Sequence, residues 1–369
     1  MLDPTLSRAR QQRLLRRMED RRLEAVVVGA PEHVYYLSTH RPHVLQQAAF
    51  VLWSDGRSWL VSANEPASGA AADEAVGYVA NPMGTQRPEQ PEVVASRVVE
   101  VLARRRGSGR VGVDSSAVTA SLTSLWELQP EPIDPVLWQL RRRKDADELA
   151  LMKTAIACTK AMYERAREVI VPGVEELTVY NELHAAAVKV AGEPLSPAYL
   201  GNDYACGVPG GLPRKGRTAQ AGELYILDLG PAYRGYYSDN SRVFSVGGKV
   251  TDAQQRAWET VTSALSIVEK IARPGVRCRD IFAAVDEHYR SRTGSPFPHH
   301  LGHGVGLQPH EFPHLSPLWD DVLEEGDVFT AEPGLYAPEL RAGLRIENQY
   351  VVIRDGVKNL TPFPMELMP

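Results

Sequence analysis

Leu227-Asp228-Leu229-Gly230-Pro231-Ala232-Tyr233-Arg234-Gly235-Tyr236-Tyr237-Ser238-Asp239 is the stretch on which the reading of this chain turns. The apolar run Leu224-Tyr225-Ile226-Leu227 leading into it predicts a buried strand that ends on Asp228. Gly230, Pro231 and Gly235 turn the chain, and Tyr236 to Val246 predicts a returning strand. Together they make a β-hairpin with an acid on each arm. A carboxylate at the inner end of an apolar strand is costly to keep ionised, and a second one beside it repels the first. A divalent cation between the two would relieve both costs. Asp is equally at home as an ordinary turn residue, so the hairpin alone leaves both readings open.

The rest of the chain narrows the choice. At 369 residues it predicts one large and one smaller domain, with an apolar fraction of 43% and a charged fraction of 24%, as in ordinary globular proteins. The net charge of −5 and the lack of a long basic block exclude a phosphate-tracking surface, so no nucleic-acid partner is expected. Three cysteines, Cys158, Cys206 and Cys278, have no metal-finger spacing and read as free thiols in a reducing compartment. No run approaches the roughly 20 apolar residues of a membrane span, and the N-terminus lacks the apolar core of a secretory signal. No membrane partner is expected, and the cytoplasm is the expected location.

In chain order, a helix is predicted from Thr5 to Leu23, a strand at Ala25 to Val28, and a second helix from Pro31. Two short strands, Ala48 to Trp53 and Ser58 to Ser62, flank Asp55-Gly56, a hairpin signal. A helix from Glu92 to Arg105 and a strand from Arg110 to Val113 complete a small α/β domain over residues 1–138. His33, His40 and His43 read there as surface or domain-contact residues rather than ligands. The charged joint Leu140 to Glu148 leads into a long helix, Ala146 to Val169, and opens a second domain over residues 139–369.

That second domain repeats itself. Pro172-Gly173-Val174 and Pro274-Gly275-Val276 each precede a predicted helix and lie 102 positions apart. Gly222-Glu-Leu-Tyr-Ile-Leu-Asp228-Leu-Gly230 aligns with Gly326-Asp-Val-Phe-Thr-Ala-Glu332-Pro-Gly334, with acids 104 positions apart. Nearly equal offsets at two landmarks indicate an internal duplication. Two such halves are expected to join their strands into one curved sheet, with helices outside and acids inside.

Glu332 then stands where Asp228 does, and Glu347 takes the returning arm as Asp239 does. Between the hairpins, five of the ten histidines fall from His299 to His314, among Gly302, Gly304 and Gly306, which suits close backbone approach to a polar site. Four carboxylates and one imidazole suit two divalent ions that share bridging carboxylates and activate a water between them. Oxygen-rich donors with a single nitrogen favour Mn²⁺, Co²⁺ or Zn²⁺, without ranking the three.

Asp228, Asp239, His303, Glu332 and Glu347, with the runs Leu-Gly-His303-Gly-Val-Gly-Leu, Pro-His310-Glu and Glu332-Pro-Gly-Leu-Tyr, resemble the metallopeptidases of the pita-bread fold. Among these the chain is similar to the Xaa-Pro dipeptidases (prolidases) and aminopeptidase P of peptidase family M24. The resemblance implies an α+β chain: a C-terminal pita-bread domain with pseudo-two-fold duplication behind a smaller α/β creatinase-like domain. It also implies hydrolysis of Xaa-Pro bonds by a hydroxide bridging two divalent metals, and a homodimeric assembly; the short chain and the closed-looking loop around Pro209 point to dipeptides rather than longer chains. By the same resemblance Asp228 chelates one ion, His303 and Glu332 hold the other, and Asp239 and Glu347 bridge. Glu332 also relays the proton to the leaving nitrogen, His310 stabilises the oxyanion, and His299 lines the proline pocket. Arg345 either orients the nearby ligands or meets the substrate carboxylate.

One departure stands out. The family's Pro-His-Gly motif before the first Asp is replaced by Tyr204-Ala-Cys206-Gly-Val-Pro209-Gly-Gly-Leu-Pro213-Arg214, without a histidine. Arg214 or Tyr204 is the expected substitute. The departure keeps a second reading in play, an enzyme cleaving a C–N or C–S bond in a small zwitterion. A non-catalytic binding module is a third, opposed by the intact ligand set.

Overall fold

Strand pairing in the N-terminal part follows from one run, Leu23–Val28, whose Val26, Val27 and Val28 are inaccessible to solvent. Buried on both faces, it forms the middle of a six-stranded sheet in the computed structural model, which describes residues 1–104, 110–125, 130–195 and 201–367. It pairs antiparallel with Ala49–Trp53 and parallel with Arg110–Val113. Ser58–Ala63 and Glu74–Tyr78 extend one side, Glu131–Pro132 the other. A helix, Gln90–Ala103, covers the sheet with Val94, Val98, Val101 and Leu102; the predicted end of that helix at Arg105 lies outside the described residues. His33 is not a surface residue: it is buried, with Nδ1 3.2 Å from Asp114 Oδ2. Asp114 also accepts the Gly29 and Ala30 amides, so the imidazole helps complete a buried turn. His43 is exposed and His40 half-buried.

The chain divides into two units, Met1–Arg141 and Arg142–Pro369. The second shows the duplication in its backbone. Helices Glu176–Ala191 and Cys278–Thr293 have the same length, and each ends on a glycine in the left-handed region, Gly192 and Gly294. The acid-bearing strands each start just after a left-handed glycine, Gly222 at φ +82° and Gly326 at φ +92°. In the first half, Asn240–Ser245, Leu224–Leu229 and Gly201–Cys206 form a three-stranded antiparallel sheet. In the second, Glu311–Leu315, Gly302–Gly304, Val328–Ala331, Asn348–Ile353 and Gly356–Asn359 form a five-stranded one.

The expected single curved sheet is thus two sheets that meet at an edge. Glu347 N donates to Ser241 O at 3.0 Å, but the Glu347 carbonyl accepts from the Asn240 and Arg242 side chains rather than from a strand amide. Side chains replace the ladder there, which ends the backbone pairing at the level of the acids. The returning strand is also interrupted. Arg234 and Gly235, both at positive φ, make the hairpin turn, and Tyr236–Tyr237 pairs briefly with Ala232–Tyr233. Tyr237 N then bonds Gly306 O and Asp239 N bonds the Gln349 side chain before pairing resumes at Asn240.

Alternation along the buried strand sets the orientation of Asp228. Tyr225, Leu227 and Leu229 pack in a core with Met162, Val179 and Leu183 from the first pair of helices. Leu224 and Ile226 join the second core, with Val261, Ile281 and Phe329. Asp228, two residues on, shares the side of Ile226.

Candidate metal centre

All five predicted ligand residues are buried and line one cavity of about 220 Å³. Asp228 lies within its strand opposite Ser241, and Asp239 in the interruption of the returning strand. Glu332 follows directly after Val328–Ala331, and Glu347 directly precedes Asn348–Ile353. His303 comes from the three-residue strand Gly302–Gly304, where Gly302 lets the backbone run so close to Thr330 that a Cβ would strike its carbonyl oxygen.

The donors fit divalent cations on three grounds. Asp228 Oδ1, both Asp239 oxygens and Glu347 Oε2 are buried without a hydrogen-bond partner, a costly arrangement for carboxylates that nothing else satisfies. His303 Nδ1 lies 3.0 Å from the Gly304 carbonyl, which can only accept; Nδ1 therefore carries the proton and Nε2 presents its lone pair to the cavity. That Nε2 is 3.4 Å from Glu332 Oε1 and 3.8 Å from Asp239 Oδ2. One ligand atom each from Asp239, His303 and Glu347 fall within 4.8 Å of one another. Finally, Asp203, Asp228, Asp239, Glu332 and Glu347 face the cavity against the single guanidinium of Arg345. Their full ionisation leaves four negative charges, the charge that two divalent cations would balance.

The same crowding shapes the protonation of the protein alone. Burial pushes Asp228 up to about 6, opposed by Arg345 and reinforced by Asp203 and Glu332. Burial and the neighbouring carboxylates hold Asp239 and Glu347 well above the usual carboxylate range. Burial also pushes Glu332 upward, but the His300 bond and the charges of His303 and Arg345 outweigh it and bring it to about 2. Burial lowers His303 to about 4, so its imidazole stays neutral, the form that ligates.

The remaining predicted residues separate into two groups. His310 lines the cavity with its ring stacked on His303, centroids 3.6 Å apart and planes 13° apart. Arg345 also lines it, donating from Nη2 to Asp228 Oδ2 at 2.7 Å and from Nη1 to Tyr336 Oη at 3.1 Å. His299 stands outside the cavity lining, packed on Phe297 with centroids 4.8 Å apart and bonded at Nε2 to Tyr336 Oη. Its neighbour His300, absent from the predicted set, is the one that faces in, with Nε2 2.9 Å from Glu332 Oε1. Asp203 was missed as well. It lies directly across the strand pair from Asp228 and also takes a bond from Arg345 Nη2.

Neither expected substitute for the missing loop histidine lines the cavity. Arg214 pairs with the buried Glu176 at 2.6 Å and donates to Cys206 O, while Tyr204 is buried against Tyr180 with centroids 5.0 Å apart. Each is engaged by partners outside the cavity lining.

Residues 150–354 of the chain match the metallopeptidase family M24, and residues 10–142 match the creatinase/prolidase N-terminal domain. The chain belongs to metallopeptidase family M24. Its two-part architecture, an N-terminal creatinase-type domain before a pita-bread domain, is that of the prolidase fold. An M24 relative, the Xaa-Pro dipeptidase of Pyrococcus furiosus, is 26% identical over 97% of this chain and 99% of its own. Among solved structures, an Xaa-Pro dipeptidase from Bacillus anthracis superposes with a TM-score of 0.82 at 24% identity, over 98% of this chain and 99% of that one. An X-Pro aminopeptidase from Thermotoga maritima reaches 0.79 at 22% identity, over 97% and 99%. Membership of metallopeptidase family M24 implies divalent metal, and among the described residues the buried cluster of Asp239, His303 and Glu347 is one that could hold it. Among the described residues no helix is long and apolar enough to cross a membrane.

Proposed function

We propose that this chain hydrolyses Xaa-Pro dipeptides with two divalent cations, held by Asp228, Asp239, His303, Glu332 and Glu347. The observation that carries the proposal is His303 Nε2, a buried lone pair that faces Glu332 Oε1 and the otherwise unpartnered Asp239 Oδ2. Mn²⁺ is the proposed ion, with Co²⁺ and Zn²⁺ compatible with the same donors. Bound there, the cations supply positive charge that polarises a carbonyl and lowers the pKa of an attacking water.

The chain's own groups account for the rest. Glu332, kept ionised by His300 and Arg345, takes the proton of the attacking water and returns it to the proline nitrogen. His310, with its face fixed on His303, donates to the oxygen that becomes negative as the carbonyl is attacked. Arg345 holds Asp228 by a charge-assisted bond and so fixes one wall. His299 acts at one remove: Tyr336, bonded to both His299 and Arg345, links it to that wall. The Xaa-Pro amide has no N–H, and this mechanism asks for none, because cleavage depends on polarising the carbonyl and protonating the ring nitrogen.

The test is proline release from Met-Pro, Ala-Pro and Ala-Pro-Ala by metal-stripped protein, with and without Mn²⁺, alongside metal counting. Metal-dependent cleavage limited to the dipeptides is expected. Cleavage of the tripeptide at a similar rate would replace the dipeptidase reading by an aminopeptidase. Two bound ions without cleavage of any peptide would overturn both.

A further inference from the structure

Asp203 has no place in the ligand set, yet it is buried and lines the cavity. It sits opposite Asp228 on adjacent strands, where two like charges would repel. Arg345 Nη2 donates to both carboxylates, and Arg345 Nη1 to Tyr336 Oη. The other Asp203 oxygen, Oδ1, accepts the Gly211 amide, and Gly210 passes so close that a Cβ there would meet the carboxylate at 2.5 Å. Asp203 is therefore fixed from two sides, by the loop that follows its strand and by the guanidinium.

We infer that Asp203 is a positioning residue that occupies Arg345, so that the guanidinium does not serve as receptor for the carboxylate of a bound substrate. The inference rests on the Xaa-Pro reading of the cavity and deepens it. With two divalent cations bound, Asp203 completes the balance of charge; without its charge the site would carry one excess positive charge, centred on Arg345. A buried guanidinium relieved of one carboxylate binds another, and the substrate's own is the one at hand. Preference for dipeptides then comes from the small cavity of about 220 Å³ rather than from a charged receptor.

Asp203→Asn separates these roles. Its amide oxygen can still accept from Gly211, but its NH₂ meets Arg345 donor to donor. The experiment compares Ala-Pro with Ala-prolinamide as substrates of Mn²⁺-loaded protein, taking the ratio of their kcat/KM values. A purely structural defect lowers both and leaves the ratio alone. The wild type is expected to favour the acid only slightly, and Asp203→Asn to shift the ratio toward the acid by about tenfold or more, the worth of a charge-assisted hydrogen bond. Asp203→Glu is expected to keep the wild-type ratio, and Asp203→Asn/Arg345→Gln to lose the shift.

An unchanged ratio in a folded, metal-replete Asp203→Asn overturns the inference. Should that variant not fold, Arg345→Lys in the wild-type background decides: an unchanged ratio supports the inference, and a tenfold fall in preference for the acid overturns it. Should the wild type cleave neither substrate, the Xaa-Pro reading fails on its own, and calorimetric binding of proline against prolinamide judges Asp203. Tighter proline binding by Asp203→Asn than by wild type supports the inference, and equal or absent binding overturns it.

Discussion

The two halves of the Arg142–Pro369 unit place the same three strands around the site and put different chemistry on one of them. In each half an acid-bearing strand lies between a return strand and a flanking strand. The flanking strand Gly201–Cys206 carries Asp203, whereas its counterpart Gly302–Gly304 carries His303. A neutral imidazole with its lone pair facing inward is a ready donor to a cation. A carboxylate in the corresponding strand adds charge to a site already crowded with it, and is matched by Arg345 reaching over from the other half. Duplication thus accounts for the four acids proposed as ligands, and the flanking strands account for the asymmetry that gives the site a direction.

Removing the imidazole attacks that asymmetry at its strongest point. His303→Ala is expected to lose bound metal and to lower proline release by well over the 10–100-fold typical of outer-shell changes, read by metal counting and by kcat/KM. Full activity and two bound ions in this variant would show that the carboxylates alone hold the metals.

Metal removal should expose the strain among the acids. In the metal-free protein Asp228 rises to about 6, and Asp239 and Glu347 also lie well above their ordinary range. The folded chain then keeps protons that the unfolded chain gives up from about pH 4 upward, so stability falls as pH rises through that window. Glu332, lowered to about 2, and His303, lowered to about 4, oppose this slope up to their unfolded values of about 4.3 and 6.5, but the three raised carboxylates outweigh them. Chelator-treated protein is expected to lose Tm between about pH 4 and pH 7, and Mn²⁺ at about 100 times its Kd to restore about 2.7 kcal/mol at the upper end. Parallel Tm–pH curves with and without metal would contradict this.

Smaller effects measure how far the halves remain equivalent. Gly222 and Gly326 precede the acid strands at φ +82° and +92°, and a Cβ at either would press on an arginine side chain, Arg341 or Arg143. Alanine at either is expected to cost roughly 1–2 kcal/mol in chemical denaturation, with similar values in the two halves. Gly192 and Gly294 cap the paired helices, where an added Cβ would meet nothing within 4 Å, so alanine there faces only the left-handed backbone. About 1 kcal/mol each is expected, at the low end of the same range. A large difference between partners would mean that one half has come to depend on its turn for more than the fold.

The repeat was legible because turns and buried strands are local: a left-handed glycine, an apolar run and an acid recur at fixed spacing whatever surrounds them. The positions of the five proposed ligands were legible for the same reason, since each sits at or beside a strand end. His299 and His300 were harder to tell apart, because adjacent residues in an irregular segment differ only in which way the backbone turns them. The single curved sheet failed because Asn240 and Arg242 take the Glu347 carbonyl that a continuous ladder would have used.

The sequence by itself determined the duplicated plan and the four acids and His303 that line the cavity, all set by short-range pattern. Only the tertiary structure decided what Arg345 does. Its partner Asp203 is 142 positions away, in a run whose glycines, prolines and single acid carry no periodic signal. Strand register places that acid beside Asp228, and register depends on the packing of the whole sheet rather than on the residues that flank it.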